Sequence, residues 1–277
     1  MKVIDTVAGF RAVHQETGRP LGLVPTMGCL HEGHLALVRR ARSDNATVAV
    51  SIFVNPAQFG LPYDDFSTYP RDMESDLSKL REEGVDLVFA PSVEEIYPGG
   101  FETSVDVGPI ADKLEGKSRP GHFTGVATVV CKLLFIVRPD RAYFGQKDAQ
   151  QCLVVQRLTA DLELGAEIVV VPTVREADGL ALSSRNSLLD TEDKRAALVL
   201  YRSLCLAREL WRQGEGDAEQ IRRQMRSLIE SEPLARIDYL SIAHSESLEE
   251  LEIIDGPALV SLAVWIGQAR LIDNILL

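Results

Sequence analysis

The sequence predicts an α/β protein: a parallel sheet with helices on both faces, followed by a smaller C-terminal α+β domain. Two observations support this fold. Short apolar runs alternate with helical patterns through the first two thirds of the chain, and after about residue 174 two helices precede a group of strands. Alternating elements with short connections are typical of parallel α/β sheets, whereas segregated helices and strands are typical of α+β domains. We therefore expect domains at residues 1–174 and 175–277.

The predicted strands of the first domain are short, apolar and rich in β-branched residues, as in buried parallel strands. They cover residues 21–25, 47–54, 85–91, 141–145 and 167–172. Apolar residues at helical spacing predict helices between them, and these helices cover 35–41, 74–84 and 126–137. Gly84 and Pro139 mark the ends of the last two.

The second domain opens with a helix for which Asp190 is the predicted N-cap. Another helix is expected near 217–230. The apolar runs that follow predict the strands of a small sheet, at residues 236–244, 257–267 and 269–273.

Composition excludes several classes of function. The net charge is −12 and no basic cluster is present, so a nucleic-acid partner is not expected. No apolar run approaches 18 residues, and the N-terminus lacks the apolar core of a signal peptide, so neither a membrane span nor a secretory leader is expected. Four scattered cysteines without a CxxC pair predict reduced thiols and a cytoplasmic location; they are Cys29, Cys131, Cys152 and Cys205.

The segment "PTMGCLHEGHLAL", residues 25–37, lies between the first of these strands and its helix. Ligands of open α/β sheets bind at this carboxyl edge. Gly28 and Gly33 allow the backbone to approach a ligand, and the helix N-terminus favours anions. His31 and His34 can donate hydrogen bonds to phosphate oxygens. A zinc site is disfavoured because no third ligand is near in sequence. The alternative is that both histidines merely cap the helix and pack.

Four further segments place polar groups after strands, before a helix or between domains. In "FGQKDAQQ", residues 144–151, Lys147 can hold a phosphate and Asp148 can cap a helix or hold a ribose hydroxyl, although a solvated turn is the alternative. In "LALSSRNSLL", residues 180–189, two serines and Arg185 suit a mobile loop over a polyphosphate, although a domain linker is the alternative.

The neutral amides of Asn55 and Gln58, in "SIFVNPAQF", can recognise hydroxyls and carboxylates of a small substrate. An Asn-Pro turn is the alternative. "SRPGHFTG", residues 118–125, adds Arg119 and His122 and is equally consistent with a substrate loop or a surface turn.

Together these segments resemble the pantoate–β-alanine ligase family, from about Leu21 to Asn274 and in the family's order. The matching motifs are "VPTMGCLHEGH", "SIFVNPAQF", "YPRD", "GVDLVFAPS", "EIYP", "LEG…SRPGHFTGV", "RPDRAYFGQKD", "VPTVREADGLALSSRN" and "ARLIDN".

The resemblance implies a Rossmann-like domain of the nucleotidylyltransferase kind, with "LHEGH" similar to the HIGH signature. It implies ATP-dependent condensation of pantoate with β-alanine through a pantoyl adenylate, as a step towards pantothenate and coenzyme A. ATP and Mg²⁺ are the implied co-substrate and ion, and a homodimer is the implied assembly. The alternative is a nucleotidylyltransferase that releases its adenylylated product.

The implied catalytic residues are His34, His31, Lys147, Ser184 and Arg185. The implied ATP site comprises Met27, Gly28, Cys29, Leu30, His31, Glu32, Gly33, His34, Gly145, Gln146, Lys147, Asp148, Val174, Leu182, Ser183, Ser184 and Arg185. Pantoate and β-alanine would be held by Gln58, Gln151 and Asn55, and Asp76 would approach the Mg²⁺.

Two residues depart from the family pattern. Gln146 stands where a Glu is expected, which removes a negative charge near the nucleotide, while Lys147 and Asp148 remain. Cys29 replaces a residue that is usually small or Asn, and it introduces a thiol into the turn.

Overall fold

The computed structural model describes two compact units. The described residues are 1–60 and 66–277. The first unit comprises 1–146 and 150–172, and the second comprises 147–149 and 173–277.

The first unit is built on a six-stranded sheet in which every strand pair is parallel. Its strands are β1 (Lys2–Ile4), β2 (Leu21–Thr26), β3 (Thr47–Ile52), β4 (Leu87–Phe89), β5 (Arg141–Gly145) and β6 (Glu167–Val171). The order β1-β4-β3-β2-β5-β6 places β3 on one side of β2 and β5 on the other. The chain therefore reverses its winding direction between β2 and β5, and a crevice at the carboxyl ends of such strands is where doubly wound sheets bind ligands.

Helices cover both faces of this sheet because alternate strand residues point to opposite sides. On β5, Ala142 and Phe144 belong to the apolar cluster on one face, which also contains the helix at 122–137. Tyr143 belongs to the cluster on the other face, with the helix at 32–44. The helices are α1 (Val7–His14), α2 (Glu32–Asp44), α3 (Met73–Glu82), α4 (Val93–Ile96), α5 (Leu114–Ser118), α6 (His122–Val137) and α7 (Ala149–Asp161).

The predicted helix ends are confirmed. Helix α3 ends at Glu82, and Gly84 follows with φ +70°. Helix α6 ends at Val137; Arg138 adopts a left-handed conformation with φ 49°, directly before Pro139. The strand predicted at 47–54 is shorter than expected and ends at Ile52. The short edge strand β1 and helix α1 were not predicted, because three residues carry too little pattern to show a strand.

The second unit contains two helices and three antiparallel strands in the order β7-β8-β9. These elements are α8 (Thr191–Arg212), α9 (Ala218–Glu230), β7 (Ala235–His244), β8 (Ala258–Ile266) and β9 (Ala269–Leu276). Asp190 caps α8 as predicted, since its side chain accepts from the N–H groups of Glu192 and Asp193. One apolar cluster joins the helices to the sheet. The α/β sheet with a smaller α+β unit matches the predicted fold class. Among the described residues, no helix is long and apolar enough to span a bilayer.

Candidate active site

The turn between β2 and α2 lies at the point where the winding of the sheet reverses. Gly28 and Cys29 both have left-handed backbones, with φ values of 84° and 51°. Thr26 supports the turn: its hydroxyl donates to the Ser51 carbonyl at 2.7 Å and accepts from the Gly28 N–H at 3.2 Å. A Cβ added to Gly28 would lie 2.9 Å from the Asp76 carboxylate. Glycine is therefore required both by the backbone angle and by the space.

His31 and His34 cap helix α2 reciprocally. The His31 Nδ1 accepts from the Gly33 N–H at 3.1 Å, and the His34 Nδ1 accepts from the His31 N–H at 3.4 Å. An Nδ1 that accepts a hydrogen bond places the proton of a neutral imidazole on Nε2. Capping therefore orients both rings with Nε2–H as the donor. The capping alternative is correct as a description of the contacts, and it leaves the phosphate-donor function chemically possible.

Two side chains next to the histidines, those of Glu32 and Leu30, are engaged elsewhere. Glu32 is ion-paired with Arg39, and the hydrogen bond from Arg39 lowers the pKa of the Glu32 carboxyl. Arg39 also pairs with Glu83. Leu30 is buried in the apolar cluster under α2. Any contact of Glu32 or Leu30 with ATP would therefore be made by the backbone.

Asp76, on α3, accepts hydrogen bonds from the turn. Its Oδ2 accepts from the Cys29 N–H at 2.8 Å and its Oδ1 from the Leu30 N–H at 2.7 Å. The side chain is 2% exposed. Lys79 donates from Nζ to the Leu30 carbonyl at 2.6 Å. Each carboxylate oxygen thus accepts one main-chain N–H, and the Lys79 ammonium lies against the Leu30 carbonyl. The approach of Asp76 to a metal ion stays a prediction.

Gln58 is held by a group of polar residues at the end of β3. Its Nε2 donates to the Met27 sulfur at 3.3 Å, and its Oε1 accepts from Asn55 at 3.0 Å. Asn55 is 1% exposed and also bonds to the Gly125 carbonyl and the Tyr97 hydroxyl. Its hydrogen-bonding capacity is taken up by the protein. Asn55 therefore holds the Gln58 side chain through the bond to Oε1, and its direct contact with substrate stays a prediction.

His122 is a residue whose position the sequence left open between a substrate loop and a surface turn. The structure buries it at the start of α6, with Nδ1 3.0 Å from the Gln58 carbonyl oxygen. Arg119 lies 3.0 Å from its other ring nitrogen. His122 therefore anchors the main chain of Gln58, and Arg119 supports His122 from the other ring nitrogen.

Two adjacent glutamines at the start of α7 have different environments. Gln150 is buried and bonds to the main chain of Ile110, Lys113 and Glu115. Gln151 is half-buried, and its side chain makes no hydrogen bond to the described part of the chain. The prediction that Gln151 meets substrate is compatible with this difference. Gly145, at the end of β5, accepts from the Cys152 thiol at 3.3 Å.

The second unit contains the other predicted nucleotide residues. Lys147, Ser183 and Arg185 line one pocket of this unit, which Asn186 and Asp273 also border. Lys147 pairs weakly with Asp148 at 3.4 Å, and the Asn274 amide holds its carbonyl at 2.9 Å. A pocket with ammonium and guanidinium groups on its wall suits an anion.

The serine loop has a defined local geometry. Ser183 accepts from the Arg185 N–H at 3.2 Å, and Val174 accepts from the Leu182 N–H at 3.0 Å. Among the described residues, the Ser184 hydroxyl has no hydrogen-bond partner. The predicted loop residues 182–185 and Val174 are thus joined by main-chain and capping bonds.

The base of this loop is held by a buried ion pair. Arg175 donates to both carboxylate oxygens of Asp273, at 2.6 and 2.9 Å, and stacks on Tyr201. Sequence reasoning missed this pair, because 98 positions separate its members.

A strained glycine turn, a helix N-terminus and two oriented imidazoles at the switch point of a parallel sheet define the class of Rossmann-like enzymes that bind phosphate-bearing ligands at this edge. The family model for pantoate-beta-alanine ligase matches residues 2–276. The chain belongs to this family.

Individual relatives agree with the family match. Pantothenate synthetase of Roseiflexus castenholzii is 58% identical over 277 residues, which cover 100% of this chain and 99% of that protein. Pantothenate synthetase of Chloroflexus aurantiacus is 60% identical over 280 residues, which cover 100% of this chain and 98% of that protein. The crystal structure of pantothenate synthetase from Thermus thermophilus superposes with a TM-score of 0.94 at 52% identity, covering 99% of each chain.

A fourth relative was solved with ligands. Pantoate-beta-alanine ligase from Francisella tularensis, complexed with beta-gamma ATP and beta-alanine, superposes with a TM-score of 0.79 at 38% identity, covering 100% of this chain and 97% of that one. The prediction that this chain is a pantoate–β-alanine ligase is confirmed.

Proposed function

We propose that this ligase works in two steps, with a pantoyl adenylate as the intermediate and with ATP as the source of the adenylyl group. The observation that carries the proposal is the pair of imidazoles oriented by reciprocal capping at the switch point of the sheet. A carboxylate does not condense with an amine in water because oxide is a poor leaving group, so the acid must first be activated. The ATP-complexed relative from Francisella tularensis supports ATP as the activating substrate.

In the first step a pantoate carboxylate oxygen attacks the α-phosphorus of ATP. The new P–O bond forms as the bond between the α-phosphorus and the bridging oxygen breaks, and pyrophosphate leaves with the electron pair. In the second step the β-alanine amine attacks the acyl carbon, the C–O bond to AMP breaks, and the amine gives up a proton. The protein contributes mainly position and charge stabilisation.

Residues of the first unit are proposed to bind the reacting groups. The Nε2–H donors of His31 and His34 bind phosphate oxygens where negative charge builds up, with His34 as the proton donor. The backbone of residues 27–34 lines the nucleotide at the helix N-terminus, and Gly145 and Gln146 add contacts from the end of β5. Gln58 and Gln151 bind the polar groups of pantoate.

Residues of the second unit are also proposed to contact ATP. Lys147 and Arg185 neutralise phosphate charge, and Ser184 donates a hydrogen bond. Asp148, Val174 and the loop 182–185 complete the nucleotide contacts. We also propose that this unit acts as a lid, with the segment 174–190 shielding the adenylate from hydrolysis.

A protein-held magnesium ion does not fit the described residues. The oxygens of Asp76 are engaged by main-chain amides, and the described residues contain no group of three His, Cys, Asp or Glu side chains that could hold a metal. Mg²⁺ commonly binds through substrate phosphates. We therefore propose that Mg²⁺ binds together with ATP, through its phosphate oxygens.

Assembly and location are also proposals. We propose a homodimer, tested by sedimentation equilibrium across a hundredfold range of concentration; a constant monomer mass would contradict it. The four cysteines, which form no disulfide among the described residues, support a cytoplasmic location. Cell fractionation tests that point.

The two-step order is tested by leaving out one substrate at a time. With ATP, Mg²⁺ and pantoate, the enzyme should exchange labelled pyrophosphate into ATP without β-alanine. Adding β-alanine should produce an amide and AMP in equal amounts. Exchange that requires β-alanine would contradict an adenylate intermediate, and accumulation of a stable adenylylated product would favour the nucleotidylyltransferase alternative.

A further inference from the structure

Two charged side chains of α3 hold three main-chain groups of the turn after β2. Asp76 accepts from the N–H groups of Cys29 and Leu30, at 2.8 and 2.7 Å. Lys79 lies one helical turn later, on the same helix face, and donates to the Leu30 carbonyl at 2.6 Å. We call Asp76 and Lys79 the 76–79 clamp.

The clamp acts on a backbone that needs external support. Cys29 has φ 51°, a conformation that costs energy for any residue with a Cβ. Such conformations persist when surrounding contacts over-determine them, and they concentrate at functional sites. The carboxylate of the clamp bonds to Cys29 itself and to the residue after it. The next residue is His31, whose main chain and side chain begin α2.

We propose that Asp76 and Lys79 are positioning residues for the adenylation step. They fix the backbone from which His31 extends, and through the reciprocal cap they also fix the ring of His34. This proposal rests on the proposed function of the two imidazoles. Neither clamp residue touches the reacting atoms in it; each acts through the turn.

The opposite charges of the clamp give its two members distinct effects. A lone carboxylate under a phosphate-binding turn would repel the triphosphate, and the Lys79 ammonium against Leu30 offsets that charge. Removing Asp76 releases the turn and leaves the cation. Removing Lys79 leaves the carboxylate uncompensated. The first change should lower kcat, whereas the second should mainly raise the KM for ATP.

The kinetic test compares Asp76→Asn and Lys79→Met with controls on the same helix. Glu82→Gln and Arg81→Met make the same changes of charge at exposed positions. In pyrophosphate exchange with pantoate, Asp76→Asn should lose about tenfold to a hundredfold in kcat, because misplaced groups react slowly. Lys79→Met should raise the KM for ATP about tenfold. Lys79→Arg should restore most of the affinity.

A second readout does not require turnover. The chain has five histidines, so the ring ¹⁵N signals of a labelled sample can be assigned individually. Asp76→Asn should shift the ring signals of His31 and His34 and leave those of His14 and His244 in place. If the wild-type enzyme showed no exchange, the proposed function would fail, and the imidazole signals would still decide whether the clamp positions the rings.

Three results would overturn the inference. Asp76→Asn and Lys79→Met could match their controls within twofold in both kcat and KM. The His31 and His34 signals could be unchanged. The lost activity could follow the folded fraction alone, as melting curves would show, which would make the clamp merely structural. If Asp76→Asn does not fold, Lys79→Met and Lys79→Arg are compared with Arg81→Met instead, by the KM for ATP and by the His31 and His34 ring signals.

Discussion

The imidazole rings of His31 and His34 lie 4.1 Å apart, centroid to centroid, and are tilted by 34°. Each ring uses Nδ1 to accept a main-chain N–H at the start of α2. The caps that begin the helix thus also determine the tautomer and direction of both side chains, so the start of α2 and the orientation of both imidazoles depend on the same pair of residues.

Removing the donor on His34 should slow adenylation strongly. We expect His34→Ala to lose about 10²- to 10³-fold in the rate of pyrophosphate exchange, on the order of 3 kcal/mol, because a preorganised donor to developing charge is lost. The lost cap should cost only about 1 kcal/mol of unfolding free energy. His14→Ala, outside the site, is the control. An exchange rate within threefold of wild type would remove His34 from the mechanism.

A side chain at Gly28 should destabilise the first unit. Gly28→Ala combines a left-handed backbone with a Cβ 2.9 Å from Asp76 and 3.1 Å from Ile52. We expect the free energy of unfolding, measured by urea denaturation, to fall by about 2–3 kcal/mol. Gly84→Ala has a similar backbone angle and no atom within 4 Å of its Cβ, so it should lose only about 1 kcal/mol. Equal losses in the two variants would show that the close contact has no effect.

Breaking the buried pair of Arg175 and Asp273 should destabilise the second unit. Asp273 is 3% exposed, and Asp273→Ala would leave a largely buried guanidinium without its carboxylate. We expect a loss of about 3 kcal/mol of unfolding free energy. Asp161→Ala breaks the exposed pair with Arg157 at 3.7 Å and should have no measurable effect. Similar denaturation midpoints for the two variants would contradict this expectation.

Stability should fall at alkaline pH as buried tyrosines ionise. Burial raises the pKa of Tyr143 to about 12, while the unfolded chain titrates near 10. The folded state therefore holds its proton more tightly, and this contribution to stability is complete below pH 10 and is lost as the pH rises from 10 to 12. We expect a fall of about 2 kcal/mol across that range. Denaturation of Tyr143→Phe should show a flatter pH profile; an unchanged slope would refute the assignment.

Truncating Gln58 should weaken substrate binding more than catalysis. In the described chain the Gln58 amide bonds to the Asn55 amide and to the Met27 sulfur. A sulfur atom is a weak acceptor, so the Gln58 amide can exchange this bond for one to a substrate. We expect Gln58→Ala to raise the KM for pantoate about tenfold, as the loss of one buried hydrogen bond predicts. The KM for ATP should stay near wild type. Gln220→Ala on α9 is the control.

The sheet and its helices could be predicted because their signals are local. Apolar runs located strands β2 to β6, and the residues Gly84 and Pro139 located helix ends. Strand β1 could not be seen, because Lys2–Ile4 becomes a strand only by pairing with β4, more than 80 positions later. The turn at 27–34 was recognisable from its glycines and histidines at the end of a strand.

The sequence could not predict which of two similar side chains is bonded to the protein and which is left for a ligand. Asn55 and Gln58 carry the same amide, and only the structure shows that the first is saturated by protein partners. Gln150 and Gln151 are adjacent, and only the burial and main-chain hydrogen bonds of Gln150 separate the anchor from the substrate candidate. A sequence records residue types, whereas these functions depend on which partners the fold brings near.

The dependence of Cys29 and Leu30 on Asp76 has a consequence for biosynthesis of the enzyme. The carboxylate that shapes the turn is encoded 46 residues after Leu30. A nascent chain therefore presents both histidines before the carboxylate that supports the turn has been synthesised. The support that α3 gives to this turn arises only after α3 has been synthesised and docked, so an interrupted polypeptide ending before α3 would carry the histidine motif without the bonds of Asp76 and Lys79.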